Sequence, residues 1–540
     1  MEVAVIIPAV KKNVAFTNDL VKKLGDAPLI QRAIDLAQEI SGLENIYVVT
    51  DSEEIQLLCR RNGINDYYRK KLRLQPEKVV ESLSFFLSQI AENYKDMIVL
   101  SPYAPMLKAD EIHNAYAKFK SRNNGGLLIP VKRALTRAFR RDKRSLREAL
   151  LGEAGQDVFI ESQAFQIISS ELVQKGHQAA KVEPLTYELD RDLIEIRSYE
   201  DWWVCEKLLR RKRIIFRVVG DEQVGMGHIY RALTLAHEIT DHEVRFVCDE
   251  NSKVAVTKLA GYDYWLGIYK ADEIVDRIIE LKPDLVVNDI LDTDREYIQK
   301  LRNHGVRVVN FEDCGTGASL ADYTINELYD DPQIPGENIF WGRDYFFVRE
   351  EFYDARPHTF EDHVTSVLIT FGGADPSDFI RKILHKIRGF CAEQKIKIYI
   401  VTGGGYSYIK ELEQELTEIK DPEIHYTHAT GVMSHIMEQT QVAISSNGRT
   451  VYELAHMNIP SIVLSHHPRE NTHTFALEQN GFIPIGLYKG LETEDLVLSA
   501  FKRLVLDVEY RKKYYQWLRP FDFTKNKQCV LNTLLPLLES

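Results

Sequence analysis

Short apolar runs alternate with helix-patterned stretches along almost the whole chain, and the pattern restarts twice. Residues 3–7, 46–50, 97–100 and 127–130 are apolar or β-branched runs, and 29–40 and 79–92 between them carry helical spacing. Alternation of this kind builds mostly parallel sheets covered by helices. The polar break Leu208-Leu209-Arg210-Arg211-Lys212-Arg213 closes the first block. Apolar runs then resume at 214–219, 244–247, 285–287 and 306–310, and again at 364–370, 396–401, 442–445 and 461–464. The expected fold class is α/β, in three domains spanning 1–209, 213–355 and 356–540. A chain of 540 residues exceeds what one hydrophobic core holds. Two α/β domains in tandem, as in the last two blocks, commonly face one another across a cleft.

Composition excludes several classes. Charged residues make up 27% and apolar residues 44%, ordinary for a soluble globular protein. Lys plus Arg number 68 against 80 Asp plus Glu, a net charge of −12, which argues against general nucleic-acid binding. The basic run 132–147, with Arg137, Arg140, Arg141, Lys143 and Arg144, reads as a solvated helix or loop. Six cysteines are scattered without a CxxC pair, as in a reduced, cytoplasmic protein without a disulfide frame or zinc site. No apolar run is long enough for a membrane span, and the first residues do not read as a signal peptide.

Glycine turns mark the candidate chemistry. Gly225-Met226-Gly227-His228-Ile229-Tyr230-Arg231 follows the run 214–219 and opens a helical run at 232–238. A glycine turn between strand and helix lets backbone approach a phosphate at the helix N-terminus. It also places a histidine there, the side chain best suited to proton transfer near neutral pH. Thr370-Phe371-Gly372-Gly373-Ala374-Asp375-Pro376 is a second strand-to-helix turn. On its own it reads equally as a plain turn. Ser445-Ser446-Asn447-Gly448-Arg449-Thr450 is a third, exposing several N–H groups to an anion. Glu453 falls just inside the helix that follows, where it reads as a ribose ligand or as a surface or capping residue.

Taken together these segments resemble the nucleotide-sugar hydrolase family of pseudaminic acid biosynthesis, within the wider GT-B glycosyltransferase-like group. The resemblance rests on GMGHIYRALTLA (225–236), VNDILDTD (287–294), NFEDC (310–314), GRDYFFVREEF (342–352), TFGGADPSD (370–378) and SSNGRTVYELAHMNIPSIVL (445–464). It implies a GT-B-like pair of Rossmann-type domains that release UDP from a UDP-2,4-diacetamido-2,4,6-trideoxyhexose. It also implies catalytic roles for His228 and Asp289. Substrate binding would fall to Gly225, Gly227, Arg231, Gly372, Gly373, Ser446, Asn447, Gly448, Thr450, Glu453 and Asn471, with no metal and no cofactor. Two positions depart from the family pattern: Leu291 stands where a tyrosine is usual, and Tyr452 where some members carry asparagine. Both would border the sugar, so a different sugar, or transfer in place of hydrolysis, stays open.

Residues 1–209 resemble the CMP-sialic acid synthetase family of cytidylyltransferases, through VAVIIPA (3–9), LGDAPLIQRAID (24–35), VVTDSEEI (48–55), VLSPYAPMLKADEI (99–112) and FIESQAFQI (159–167). The resemblance implies a nucleotidyltransferase-like α/β domain. Its catalytic positions are altered. The loop Val10-Lys11-Lys12-Asn13-Val14-Ala15 lacks the glycines that wrap a triphosphate, and Glu195-Ile196-Arg197 stands where the family has a magnesium-binding Asp-Ile-Asp. The expectation is a domain that has lost nucleotidyl transfer and acts as a scaffold or homodimerising module. The readings in play are hydrolase, glycosyltransferase, bifunctional enzyme with active CTP chemistry, and non-catalytic nucleotide-sugar binder.

Overall fold

The computed structural model describes residues 3–10, 16, 18–70, 72, 74, 79–121, 126–134, 139–142, 145–148, 158–175, 182–189, 193–221 and 226–539. The chain forms two compact units, Met1–Arg211 and Lys212–Ser540. Among the described residues no helix is long and apolar enough to cross a membrane.

The first unit is built on a mixed sheet. Ala4–Ala9 lies at its centre, parallel to both Ile46–Thr50 and Asp96–Leu100, and Phe165–Ser169 joins antiparallel to Asp96–Leu100. Helix Leu29–Ile40 covers one face, burying Leu29, Ile30, Ala33, Ile34, Ala37 and Ile40, the stripe that a 3.6-residue period dictates. The expected helix over 79–92 is broken at Leu83 into Val79–Ser82 and Ser84–Ile90. The described residues of the basic run are strand rather than helix or loop. Part of it belongs to strand Leu127–Ala134, and Phe139–Asp142 pairs antiparallel with Ser145–Glu148. Arg137, Lys143 and Arg144 lie outside the described residues, as does the loop 11–15.

The second unit contains two fully parallel sheets. The first runs Trp265–Tyr269, Glu243–Asp249, Arg213–Val218, Leu285–Asp289, Arg307–Phe311, Tyr323–Asn326, Ile339–Trp341. The second runs Ile424–His428, Lys397–Thr402, Ser366–Thr370, Val442–Ser446, Ser461–Ser465, Phe482–Leu487. In each sheet the chain winds outward from the first strand on one side, then crosses back to continue on the other. Ligands of open α/β sheets bind at that reversal, beyond the carboxyl ends of the strands. The two reversals fall at Val218/Asp289 and Thr370/Ser446, the positions of the glycine turns. The unit is a GT-B-like pair of Rossmann-type halves.

The halves share core as well as cleft. Tyr452 is stacked between Phe346 and Phe475, at ring separations of 4.1 and 4.0 Å, and its hydroxyl donates to the Glu327 carbonyl at 2.9 Å. It is therefore a core residue rather than a border of the sugar site. The expected domain 356–540 also loses its last segment. Helix Asn526–Leu534 returns to the first half, where Val530, Leu531 and Leu534 join a core with Ile214, Phe216, Ile229 and Leu233. Asn526 Nδ2 fixes the return by donating to the carbonyls of Arg343 at 2.9 Å and Phe346 at 2.7 Å.

Truncating this returning helix at its buried face tests the arrangement. Leu531→Ala is expected to destabilise the second unit by about 2–5 kcal/mol, the range for large-to-small core changes. Urea unfolding measures it. A change below about 0.5 kcal/mol, the usual scale for surface positions, would place the helix outside the core.

Candidate active site

A cavity of about 440 Å³ separates the two halves of the second unit. His228 lies in the first turn of helix Gly227–Glu238, directly after the first strand of the first sheet, and reaches this cavity. Its Nδ1 is hydrogen-bonded to the Asp289 carboxylate at the end of the neighbouring strand Leu285–Asp289. Arg231 Nη2 also lies 3.2 Å from Nδ1, but the Asp289 carboxylate is the shorter contact and can only accept, so it favours the ring proton on Nδ1 and leaves Nε2 as the acceptor. Arg231, three residues on and so on the same helix face, is fully buried. Its Nε donates to Asp289 Oδ2 at 2.7 Å and its Nη1 to Glu327 Oε1 at 2.7 Å, with Glu312 Oε1 at 3.2 Å. Burial alone would raise the Asp289 carboxyl. The Arg231 guanidinium and His228 outweigh burial and hold it below the usual carboxylate range.

Glu312, Glu327 and Arg449 complete the cluster, and sequence reasoning assigned none of them a role. Glu312 follows strand Arg307–Phe311 and adopts a left-handed φ of 53°. The turn is pinned by its neighbour: Asp313 accepts from Asn310 Nδ2 at 2.6 Å, Thr293 Oγ1 at 2.6 Å and Gly315 N at 2.7 Å. Arg449 reaches across from the second half to pair with the buried Glu327. Burial and the nearby Arg231 charge pull its guanidinium down to about 10. Gly227 permits this crossing, because a Cβ there would stand 3.0 Å from Arg449 Cδ. Leu291, Asp375 and Ala429 are the other left-handed non-glycine residues on the cavity, at φ 68°, 45° and 49°. Four strained residues around one cavity is the distribution expected of a functional site.

The second half contributes the facing wall. Gly372, Gly373, Ser446, Gly448, Thr450 and Glu453 all line the cavity. Gly372 needs its glycine, with φ at 75°. Glu453 Oε1 accepts from Arg349 Nε at 2.8 Å, a partner carried by the GRDYFFVREEF segment that sequence reasoning left without a role. Asn447 supports the wall from behind, donating to the carbonyls of Glu470 at 2.9 Å and His473 at 3.2 Å. Asn471 is exposed and is not part of the cavity lining. Gly225 lies outside the described residues. Two further carboxyls enter the wall unannounced by the sequence. Burial pushes both Asp375 and Glu470 up to about 7.

In the first unit the altered motif is closed on itself. Glu195 Oε2 lies 2.7 Å from Arg197 Nη2 and accepts from Gln163 N at 3.3 Å. Its Oε1 lies 3.1 Å from Lys132 Nζ and is hydrogen-bonded to Ser162. Burial acts to raise this carboxyl, and Ser162, Arg197 and Lys132 together hold it below the usual range.

No family model matches the chain. It is similar to the spore coat polysaccharide biosynthesis protein SpsG of Bacillus subtilis, 25% identical over 317 residues, covering 56% of this chain and 91% of that protein. It is also similar to the UDP-2,4-diacetamido-2,4,6-trideoxy-beta-L-altropyranose hydrolase of Campylobacter jejuni, 26% identical over 211 residues, covering 37% of this chain and 73% of that protein. A third similarity is to the 3-deoxy-manno-octulosonate cytidylyltransferase of Wigglesworthia glossinidia brevipalpis. There the identity is 32% over 134 residues, 24% of this chain. The chain spans 54% of the length of that cytidylyltransferase, and 54% of an uncharacterised Methanocaldococcus jannaschii relative. One polypeptide thus combines similarity to a cytidylyltransferase with similarity to a UDP-sugar hydrolase.

Glu470 offers a test of the wall's electrostatics. A carboxyl that keeps its proton up to about pH 7 in the fold, but titrates near 4.5 when unfolded, makes the folded state less stable as pH rises through that window. Glu470→Gln is expected to lose less stability than the wild type between pH 4.5 and 7, in a Tm series across pH. Equal slopes would mean that Glu470 is ionised throughout.

Proposed function

We propose that the second unit is a nucleotide-sugar hydrolase acting in surface-glycan biosynthesis, and that it releases UDP from a UDP-2,4-diacetamido-2,4,6-trideoxyhexose-type substrate. One observation carries the reading. His228 stands on the cavity with Nδ1 held by Asp289, and Asp289 is held in turn by Arg231. That is the arrangement of an oriented general base. The similarity to the Campylobacter hydrolase supports the substrate class, and the similarity to SpsG supports the polysaccharide context.

In this reading His228 Nε2 accepts a proton from water as the water oxygen bonds to the anomeric carbon. The bond from that carbon to the diphosphate oxygen breaks, giving the free sugar and UDP. Asp289 stabilises the imidazolium that forms. The Gly372-Gly373 turn opposite, with the Ser446 and Thr450 hydroxyls, offers neutral donors to the departing diphosphate. Glu453, held by Arg349, faces the ribose. His228→Ala is expected to lower UDP release by roughly 10²–10⁴-fold, with UDP affinity retained. Turnover at the wild-type rate would remove His228 from the chemistry. Glu453→Ala is expected to weaken UDP binding by about 1–3 kcal/mol in calorimetry, and unchanged affinity would take Glu453 out of the nucleotide site.

We further propose that the first unit no longer performs nucleotidyl transfer. Supporting this, Glu195 is occupied by Lys132 and Arg197, two cations where a divalent metal would need carboxylates. The unit is then a scaffold or dimerising module for the hydrolase. Full-length protein given CTP, magnesium and a range of nonulosonic acids is expected to release no pyrophosphate above background. Sustained release would make the chain bifunctional.

A further inference from the structure

Each ring nitrogen of His228 faces a carboxylate. Asp289 is bonded to Nδ1, and Glu312 Oε2 lies 3.7 Å from Nε2. The two contacts differ in kind. The first is a direct hydrogen bond on the side away from the cavity. The second is too long for one, and both of its partners line the cavity. A separation of this size suits a single oxygen bonded to both ends. An oxygen about 2.8 Å from each partner subtends an angle somewhat tighter than that of water's two O–H bonds, which slightly bent hydrogen bonds accommodate.

The hydrogen-bonding roles at this gap are fixed. Nε2 is an acceptor, because Asp289 holds the proton on Nδ1. Glu312 is a carboxylate and can only accept. Burial acts to raise its carboxyl, but the Arg231 guanidinium, with that of Arg449, holds it well below the usual range, so it is ionised at neutral pH. The pinned turn at Asp313 and the 3.2 Å contact from Arg231 Nη1 to Oε1 hold the group in place and leave Oε2 facing His228. A bridging molecule must therefore donate two hydrogen bonds from one oxygen. Water can do so. An alcohol has a single O–H, so it would leave one buried acceptor unpaired, a penalty of the kind that gives strong discrimination at polar sites.

We propose that Glu312 is a second catalytic carboxylate, which holds the attacking water jointly with His228 and selects water over an alcohol as the nucleophile. With both its hydrogens engaged, the water turns a lone pair toward the anomeric carbon. As the new C–O bond forms, one proton passes to His228 Nε2, and the other stays on the product hydroxyl beside Glu312. The proposal rests on the hydrolase reading and sharpens it, because it states why the site hydrolyses rather than transfers.

The test uses the full-length chain and a UDP-sugar that it turns over, in buffer containing methanol, with free sugar and methyl glycoside measured separately. Wild type is expected to give almost entirely free sugar. Glu312→Gln presents an amide that can donate to an alcohol oxygen while that alcohol donates to His228. It is expected to lower kcat about tenfold or more, keep UDP affinity within about twofold, and raise the methyl glycoside share severalfold. A variant whose kcat falls while the product ratio stays at the wild-type value would reduce Glu312 to a structural role and overturn the proposal. Wild-type kcat and ratio together would overturn it as well. So would a wild-type enzyme that already prefers methanol or a sugar hydroxyl to water. The hydrolase reading fails separately, through full turnover in His228→Ala, so the two failures are read in different variants.

Discussion

Arg231 is a guanidinium with no solvent exposure, and much of the second unit is arranged around that fact. Removing such a charge from water costs several kcal/mol unless carboxylates and hydrogen bonds surround it. Here the carboxylates come from successive strand ends: Asp289 closes Leu285–Asp289, Glu312 follows Arg307–Phe311, and Glu327 follows Tyr323–Asn326. One side chain thereby sets the relative positions of three loops at the carboxyl edge of the sheet. Glu327 also takes Arg449 from the second half, so the same cluster joins the two halves at the floor of the cavity.

The charge count of the cluster suits a proton-accepting histidine. Asp289, Glu312 and Glu327 supply three negative charges, and Arg231 and Arg449 two positive ones. One negative charge is left over while His228 is neutral, and none once it holds a proton. The excess lies on both sides of the ring, Asp289 at Nδ1 and Glu312 toward Nε2. Groups already oriented toward a charge that develops during reaction stabilise it without reorganising. The guanidiniums serve here as structural counter-ions of the carboxylates around His228, while the cavity wall opposite presents glycine turns and hydroxyls.

The legibility of these features in the sequence follows from their physics. The central strands were readable because burial on both faces demands unbroken apolar runs, as in residues 285–287 and 442–445. Edge strands such as Trp265–Tyr269 and Ile424–His428 escaped notice, since half-exposed positions break the run. His228 and the glycine turns were readable because their spacing is local. Glu312, Glu327 and Arg449 were not, because a charged residue in a sequence looks like a surface residue until a partner far along the chain buries it. Tyr452 shows the converse: its place beside Glu453 suggested the sugar site, yet helix periodicity turns it into the aromatic stack with Phe346 and Phe475. The return of Asn526–Leu534 to the first half is a long-range contact with no local signature at all.

The two units show how one residue type takes opposite roles. Glu195 and Glu312 are both largely buried glutamates beside an arginine. Around Glu195 the chain itself occupies both carboxylate oxygens, using Ser162, Gln163, Lys132 and Arg197, and the adjoining cavity is about 100 Å³. Around Glu312 the arginine takes Oε1, and Oε2 is turned toward His228 on the margin of a space of about 440 Å³. A carboxylate whose lone pairs are spent on its own chain can hold a loop but has little left for a metal or substrate. One that keeps an oxygen directed at a cavity, with its counter-ion fixed behind it, retains the capacity to bind what enters. That difference in hydrogen-bond saturation, rather than the number of acidic residues in either unit, separates a glutamate that only holds a loop from one left able to bind.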